Sequence, residues 1–318
     1  MKLTEVEIDR AVGVILASAA GDALGANYEF KPPVPETSPI EMKSGTWAAG
    51  EWTDDTSMAI AILRPLTRGE NLTSSQTQTE IVREWCEWAE RAPDVGLHTR
   101  KLLASLNQRD AAEALKNSEK LHLQNPHTAG NGTLMRTGPV ALGSLSSAEV
   151  TAQNAFILSR LTHWDATAAQ ACVLWSLAIR NAILTGEIDV RIGLQHLDLA
   201  ARDFWLDLID EAEANEPTHF ENNGWVIHAF QAAVSAIHKA LNVSQVERES
   251  ERLKLGIEFA VRAGWDTDTV AAIAGSLLGA KYGLSAVPKE WFTKLHGQPL
   301  NSGEELVEMA LAAVQNSN

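Results

Sequence analysis

Three observations in the sequence predict an all-α protein. Apolar residues recur with helical period along the whole chain. No segment shows the β-branched alternation between turn residues that marks a strand. Small residues also stand four apart, as at Ala271, Gly275 and Gly279, a spacing that lets helix backbones approach closely. Glycine costs helix propensity, so tight packing is the reason expected for it there.

The elements follow in order. Ile8, Val12, Ile15, Leu16 and Ala19 form the first apolar stripe. Residues 11–20 resemble the apolar stretch of a secretory signal, but Glu5, Glu7 and Asp9 precede them where such a signal carries positive charge, so they read as a core helix. Residues 31–50, with Pro32, Pro33, Pro35 and Pro39, interrupt the pattern. The run from Met58 to Leu66 and the stripe Ile81, Trp85, Trp88 come next, then a second interruption over 124–138. Ala168, Cys172, Trp175, Ile179 and Ala182 share a face; a third interruption spans 214–224. The last two stripes are Val226, Phe230, Ala233, Ile237, Leu241 and Val270, Ile273, Ala274, Leu277, Leu278. No interruption has the length or low complexity of a domain linker, and each adjoins a motif with chemistry, so residues 1–318 read as a single domain with functional loops.

Hydrophobic residues make up 45% and charged ones 21%, a globular balance, and no apolar run approaches the roughly 18 residues of a membrane span. With 41 acidic against 26 basic residues, the net charge of -15 argues against nucleic acid as a partner, and no membrane partner is expected. A small phosphorylated substrate would need local positive charge from metals, backbone N–H groups or a few arginines. Cys86 and Cys172 lie in apolar helical patterns, so neither a disulfide framework nor a thiolate metal site is expected, and a reducing cytoplasm fits.

Two clusters share one build. Trp52-Thr53-Asp54-Asp55-Thr56 precedes one helix and Trp265-Asp266-Thr267-Asp268-Thr269 another. Thr and Asp are ordinary helix-start residues, yet paired carboxylates repel unless a cation neutralises them, and the pattern occurs twice. Carboxylate and hydroxyl oxygens without Cys or HExxH suit Mg²⁺ or Mn²⁺, and four aspartates balance two dications. The carboxylates must outweigh the helix N-terminal dipole, about half an elementary charge.

Other motifs are weak alone. Glu29, ending a helix before the Pro-rich loop, is by itself most simply a solvated carboxylate. Asp22, in Gly21-Asp22-Ala23-Leu24-Gly25, reads as a structural carboxylate bonding helix-end amides. Gly130-Asn131-Gly132 is a turn or a set of backbone donors for phosphate or ribose oxygens. Arg136 pairs with phosphate or, preferably, with a buried carboxylate. His163 is oriented by Asp165, or Thr162 or Asp165 caps the following helix. Trp225, at the head of the 226–241 stripe, reads as aromatic packing in the core.

As an ordered set, Gly21-Asp22-x-x-Gly25-x-x-x-Glu29, Trp52-Thr53-Asp54-Asp55-Thr56, Gly130-Asn131-Gly132-x-x-Met135-Arg136, Thr162-His163-x-Asp165 and Gly264-x-Asp266-Thr267-Asp268-Thr269 resemble the ADP-ribosylglycohydrolases. The resemblance covers nearly the whole chain. It implies an all-α fold, a binuclear magnesium or manganese site, and hydrolysis of the bond joining ADP-ribose to a protein side chain, releasing ADP-ribose. Carried over residue by residue, it makes Thr53, Asp54, Asp55, Asp266, Asp268 and Thr269 the metal ligands, with Thr267 as spacer. Glu29, Asp55 and Asp266 become catalytic, and Gly130, Asn131, Gly132, Met135, His163 and Trp225 contact substrate. The Thr162–Asp165 and Gly50–Asp55 segments look closer to arginine-directed members than to serine-directed ones. Serine-linked or O-acetyl ADP-ribose conjugates, and a non-catalytic ADP-ribose binder, are the alternatives. An isoprenoid-type synthase fits poorly, because Asp54-Asp55-Thr56-Ser57-Met58 lacks a third acidic residue.

Overall fold

Thr4 opens the first helix with a reciprocal cap: its hydroxyl accepts from the Glu7 amide, and the Glu7 carboxylate accepts from the Thr4 amide at 2.6 Å. Of the acidic residues that argue against a signal sequence, Glu5 and Glu7 thus lie in the first turn of a helix whose residues from Ala11 onward, Ser18 apart, are buried. The computed structural model describes residues 2–316. Its α-helices are α1 (Glu5–Gly25), α2 (Asp54–Leu66), α3 (Ser75–Ala89), α4 (Leu97–Ala104), α5 (Ala111–Gln124), α6 (Gly138–Leu142), α7 (Ala148–Arg160), α8 (Ala166–Thr185), α9 (Leu199–Ala214), α10 (Val226–Leu241), α11 (Glu251–Arg262), α12 (Thr267–Tyr282), α13 (Lys289–Phe292) and α14 (Gly303–Asn316). Among the described residues only isolated β-bridges occur, as the all-α reading expects. One buried core runs from Ala11 to Val314.

The small-residue spacing in α12 has its partner in α1. A methyl on Gly279 would fall 2.0 Å from the Gly13 carbonyl oxygen, one on Gly275 2.2 Å from that of Ala17, and one on Gly21 2.2 Å from that of Ala271. Gly25 meets the Asp268 backbone in the same way, at 2.4 Å. The two helices therefore run antiparallel with backbones in contact, and their register brings the C-terminal end of α1 beside the N-terminal end of α12. The Ser18 hydroxyl donates to Ala272 O and the Thr267 hydroxyl to Gly25 O, locking that register. Thr267, read as a spacer, is a structural tie.

Helix α8 departs from one expectation. Over 20 residues it has the length and hydropathy of a membrane span, although 72% of its most apolar window is buried inside the protein. Gln170, Ser176 and Arg180 break its apolar residues into short runs, which hides its mean hydropathy from a search for continuous ones. Trp175 on α8 stacks edge-on against Phe230 of α10, and Phe230 in turn packs on Trp205 of α9.

Candidate active site

Three helix ends meet at one place: the last turn of α1 and the first turns of α2 and α12. Asp22 accepts from the amides and hydroxyls of both Thr53 and Thr56, at 2.6 to 3.0 Å. It satisfies the start of α2 from a neighbouring helix, which agrees with the structural reading of Asp22 and leaves Thr53, the N-cap residue, with no capping bond of its own. The Asp22 carboxylate is also part of the acidic centre, since it lies with Asp55 and Asp268 so that one oxygen of each is within 4.8 Å of the others. Glu29, Asp266 and Asp268 form a second such trio. Asp268 belongs to both, so the trios are adjacent.

Electrostatically the centre is frustrated. Burial, then repulsion from Asp22 and Asp54, pushes the Asp55 carboxyl well above the usual range; burial, then Glu29 and Asp55, does the same to Asp268. Glu29 is pushed up to about 8, first by burial and then by Asp266 and Asp94. Asp54 is pushed up to about 7 by burial, then by Asp22 and Asp94. Burial raises Asp22 and Asp266 as well, against the hydrogen bonds they accept. Among the described residues, none of these carboxylates has a Lys or Arg ion pair. Asp55 Oδ1 is buried with no hydrogen-bond partner. A buried, unpartnered carboxylate oxygen amid like charges is what a hard cation satisfies, and the oxygen-only donor set suits Mg²⁺ or Mn²⁺. Two trios sharing one carboxylate fit a pair of such ions.

The surrounding backbone is tied to this centre. Phe30 and Trp265, each one residue from a carboxylate of the second trio, have φ of 58° and 60°, a conformation that costs bulky residues of order 1–3 kcal/mol. Two reciprocal bonds hold them there, Phe30 N to Trp265 O and Trp265 N to Lys31 O. Asn131 donates to Asp266 Oδ2 and to Asn223 O, both at 2.8 Å, while its own amide donates to Gly224 O. That amide is thus committed within the protein, and the loop's donor set is smaller than the sequence suggests. Buried Asn223 bonds the Asp266 amide and Gly264 O.

The remaining candidates divide. Thr53 bonds Asp22 and, at 3.3 Å, Asp55; Thr269 has its hydroxyl 4.0 Å from the Met135 sulfur, so Met135 packs against the acidic centre. His163 lies beneath Gly130 and Gly132, with its Nδ1 on the Thr162 hydroxyl; Asp165 instead caps α8 through the Thr167 amide. Arg136 fits neither reading: it is buried on the Trp85 ring, 4.1 Å from the centroid, and donates to Thr162, and among the described residues it makes no ion pair, the Asp54 charge reaching it only from a distance. Aromatic stacking and a hydroxyl replace the expected ion pair.

Two cavities have walls next to the centre's residues, one at Thr53 and Asp54 and the other at Gly224, where a methyl would lie 3.9 Å from Asp266 Oδ2. One, of about 550 Å³, opens on Thr53, Asp54 and Asp94 between Trp47, Trp52 and Trp88, and adds Glu51, Glu84 and Glu87, with Arg91 also on its wall. The other, of about 650 Å³, is lined by Gly130, Asp165, Gly224 and half-exposed Trp225.

Over residues 3–318 the chain matches the sequence model of the ADP-ribosylglycohydrolases. The chain belongs to this family. Its relatives include the ADP-ribosylarginine hydrolase Tri1 of Pseudomonas putida (strain GB-1), 28% identical, with 92% of this chain and 75% of the relative aligned. The ADP-ribosyl-[dinitrogen reductase] glycohydrolase of Rhodospirillum rubrum is 27% identical over 90% of each chain. The ADP-ribosylhydrolase ARH3 of Homo sapiens is 24% identical, covering 91% of this chain and 90% of its own. A solved structure described as an ADP-ribosylglycohydrolase-related protein complex superposes with a TM-score of 0.70 at 26% identity, over 99% of this chain and 100% of its own.

In this ADP-ribosylglycohydrolase, sequence reasoning missed Asp94, His98 and Asn223. Asp94 follows Pro93 in a short connection and looks like any turn aspartate; only folding brings its charge onto Glu29 and Asp54. His98, in the first turn of α4, faces His163 across 4.5 Å. Asn223 had one available signal, the Asn-Asn-Gly run inside an interruption already read as functional.

Proposed function

We propose that this chain is a divalent-metal-dependent hydrolase that releases ADP-ribose from modified arginine side chains of proteins. The observation that carries the reading is the pair of carboxylate trios sharing Asp268. In this reading Thr53, Asp54, Asp55, Asp266, Asp268 and Thr269 hold two Mg²⁺ or Mn²⁺ ions, with Asp22 beside them. Bound, the ions would supply the positive charge that lets these carboxylates ionise together, and a Lewis acid to polarise substrate oxygens and water.

The chain's own groups do the rest. Glu29, partly buried, stabilises positive charge at the ribose carbon or moves a proton between water and the leaving nitrogen at its carboxyl oxygens in this reading. Asp55 and Asp266, one from each trio, share the catalytic work, and Asn131 and Asn223 hold the Asp266 segment in place. Gly130, Asn131, Gly132, Met135, His163 and Trp225 form the ADP-ribose side, with Gly130 and Trp225 on the wall of the larger cavity. The acceptor enters the other one. Its carboxylates and tryptophan faces suit a guanidinium, which stacks on aromatic rings and bonds carboxylates, better than a neutral serine hydroxyl. The Tri1 relative named as an arginine hydrolase supports the same choice.

The test is a panel: protein with Mg²⁺ or Mn²⁺, and peptides ADP-ribosylated on arginine or serine, with O-acetyl-ADP-ribose alongside. Release from arginine that a chelator stops is expected. Release from serine or the acetyl ester alone would overturn the linkage, and tight ADP-ribose binding without release would favour a non-catalytic binder.

A further inference from the structure

We infer that Arg136 and Thr162 act as positioning residues that fix the tautomer of His163, so that its imidazole presents an Nε2–H donor to a ligand oxygen at the Gly130–Gly132 loop. The ligand half of this inference rests on the proposed function; the tautomer half does not.

Arg136 only donates, and its Nη2 reaches the Thr162 hydroxyl oxygen at 2.6 Å. That oxygen also meets His163 Nδ1 at 2.9 Å. If Nδ1 carried the proton, both contacts would be donated to the Thr162 oxygen, and the hydroxyl hydrogen would have no acceptor among the described residues. Thr162 is fully buried, so an unpaired hydroxyl there costs on the order of 1–3 kcal/mol. If Nδ1 is bare, Arg136 donates to Thr162, Thr162 donates to Nδ1, and every group is paired. The proton then sits on Nε2.

The doubly protonated ring is excluded separately. Burial, then His98 and Arg136, holds His163 well below the usual histidine range. His98 is fixed as well, because its Nε2 meets the Thr162 carbonyl at 2.9 Å and a carbonyl only accepts. The Thr162 peptide is therefore clamped by His98 on its carbonyl and by Arg136 on its side chain.

Nε2 of His163 has no hydrogen-bond partner among the described residues, and it faces the glycine loop. A methyl on Gly130 would lie 3.3 Å from it, and one on Gly132 3.7 Å. Side chains at either position would crowd the donor. The arrangement also gives buried Arg136 a use: it is too enclosed to touch a phosphate, and it acts on the site through Thr162 as a donor relay.

The test is long-range ¹H–¹⁵N NMR on the full chain labelled at histidine, with H163Q used for assignment. A pyridine-type Nδ1 and a pyrrole-type Nε2 are expected for His163. T162V should mix the tautomers and weaken ADP-ribose binding roughly five- to tenfold, the value of one neutral hydrogen bond, and T162S should restore both. A pyrrole-type Nδ1 in the unmodified protein would overturn the inference, as would T162V with unchanged tautomer and affinity. Should T162V not fold, the wild-type spectrum and T162S decide. Failure of the unmodified protein to bind ADP-ribose would overturn the functional reading and the ligand half, while the spectrum still reports the tautomer.

Discussion

Asp55 Oδ1 is the most exacting atom of the acidic centre: buried, unpartnered, and set between other carboxylates. Such a group is costly in the metal-free protein, so removing it or a neighbour relieves repulsion while destroying the site. Asp54→Ala and Asp268→Ala are each expected to abolish ADP-ribose release with helical circular dichroism unchanged; full activity in both would refute the assignment. The pH dependence follows from the same groups. Glu29 moves from 4.5 to about 8 on folding and Asp54 from 3.8 to about 7, so between those values the folded chain binds more protons than the unfolded one. The stability they contribute is complete below about pH 4 and is lost as pH rises towards 8. With chelator present, Tm should fall over that window, and saturating Mg²⁺ should raise Tm more at pH 8 than at pH 5, because protons compete for the same oxygens. A Tm response to Mg²⁺ that is equal at both pH values would contradict this.

At the scale of elements, the α1–α12 contact aligns the carboxylates. Gly279→Ala would force a methyl into the Gly13 carbonyl at a point where backbone meets backbone, so a loss of about 3 kcal/mol or more is expected in urea unfolding. It should also weaken Mn²⁺ binding, although Gly279 lies three turns from Asp268; unaltered stability would show that the helices separate easily. Helices with long apolar stripes, α1, α8, α10 and α12, were legible in the sequence because burial imposes a period. Helices such as α5, with three buried positions, carry too weak a stripe to single out. The paired acidic motifs were legible too, since both sit at helix starts. Asp22, Asp94 and Asn223 were harder: they enter the site through packing register and loop path, which leave no local pattern. Arg136 was misread because a buried guanidinium usually implies a carboxylate, and here Trp85 and Thr162 take its place.

For the whole molecule, a chain of net charge -15 gathers carboxylates from its first helix and its twelfth at one buried point. Such a centre repels an ADP-ribose pyrophosphate unless cations intervene, so substrate binding and metal binding should be linked: ADP-ribose affinity should fall when EDTA removes the metal. The central claim is that Asp268 is shared by two adjacent ion sites. Crystals soaked in Mn²⁺ test it most directly by anomalous diffraction. Two peaks are expected between the starts of α2 and α12, one at Asp55 and one at Asp266, both within reach of Asp268. No peak there, with ordered Mn²⁺ elsewhere on the molecule, would contradict the account.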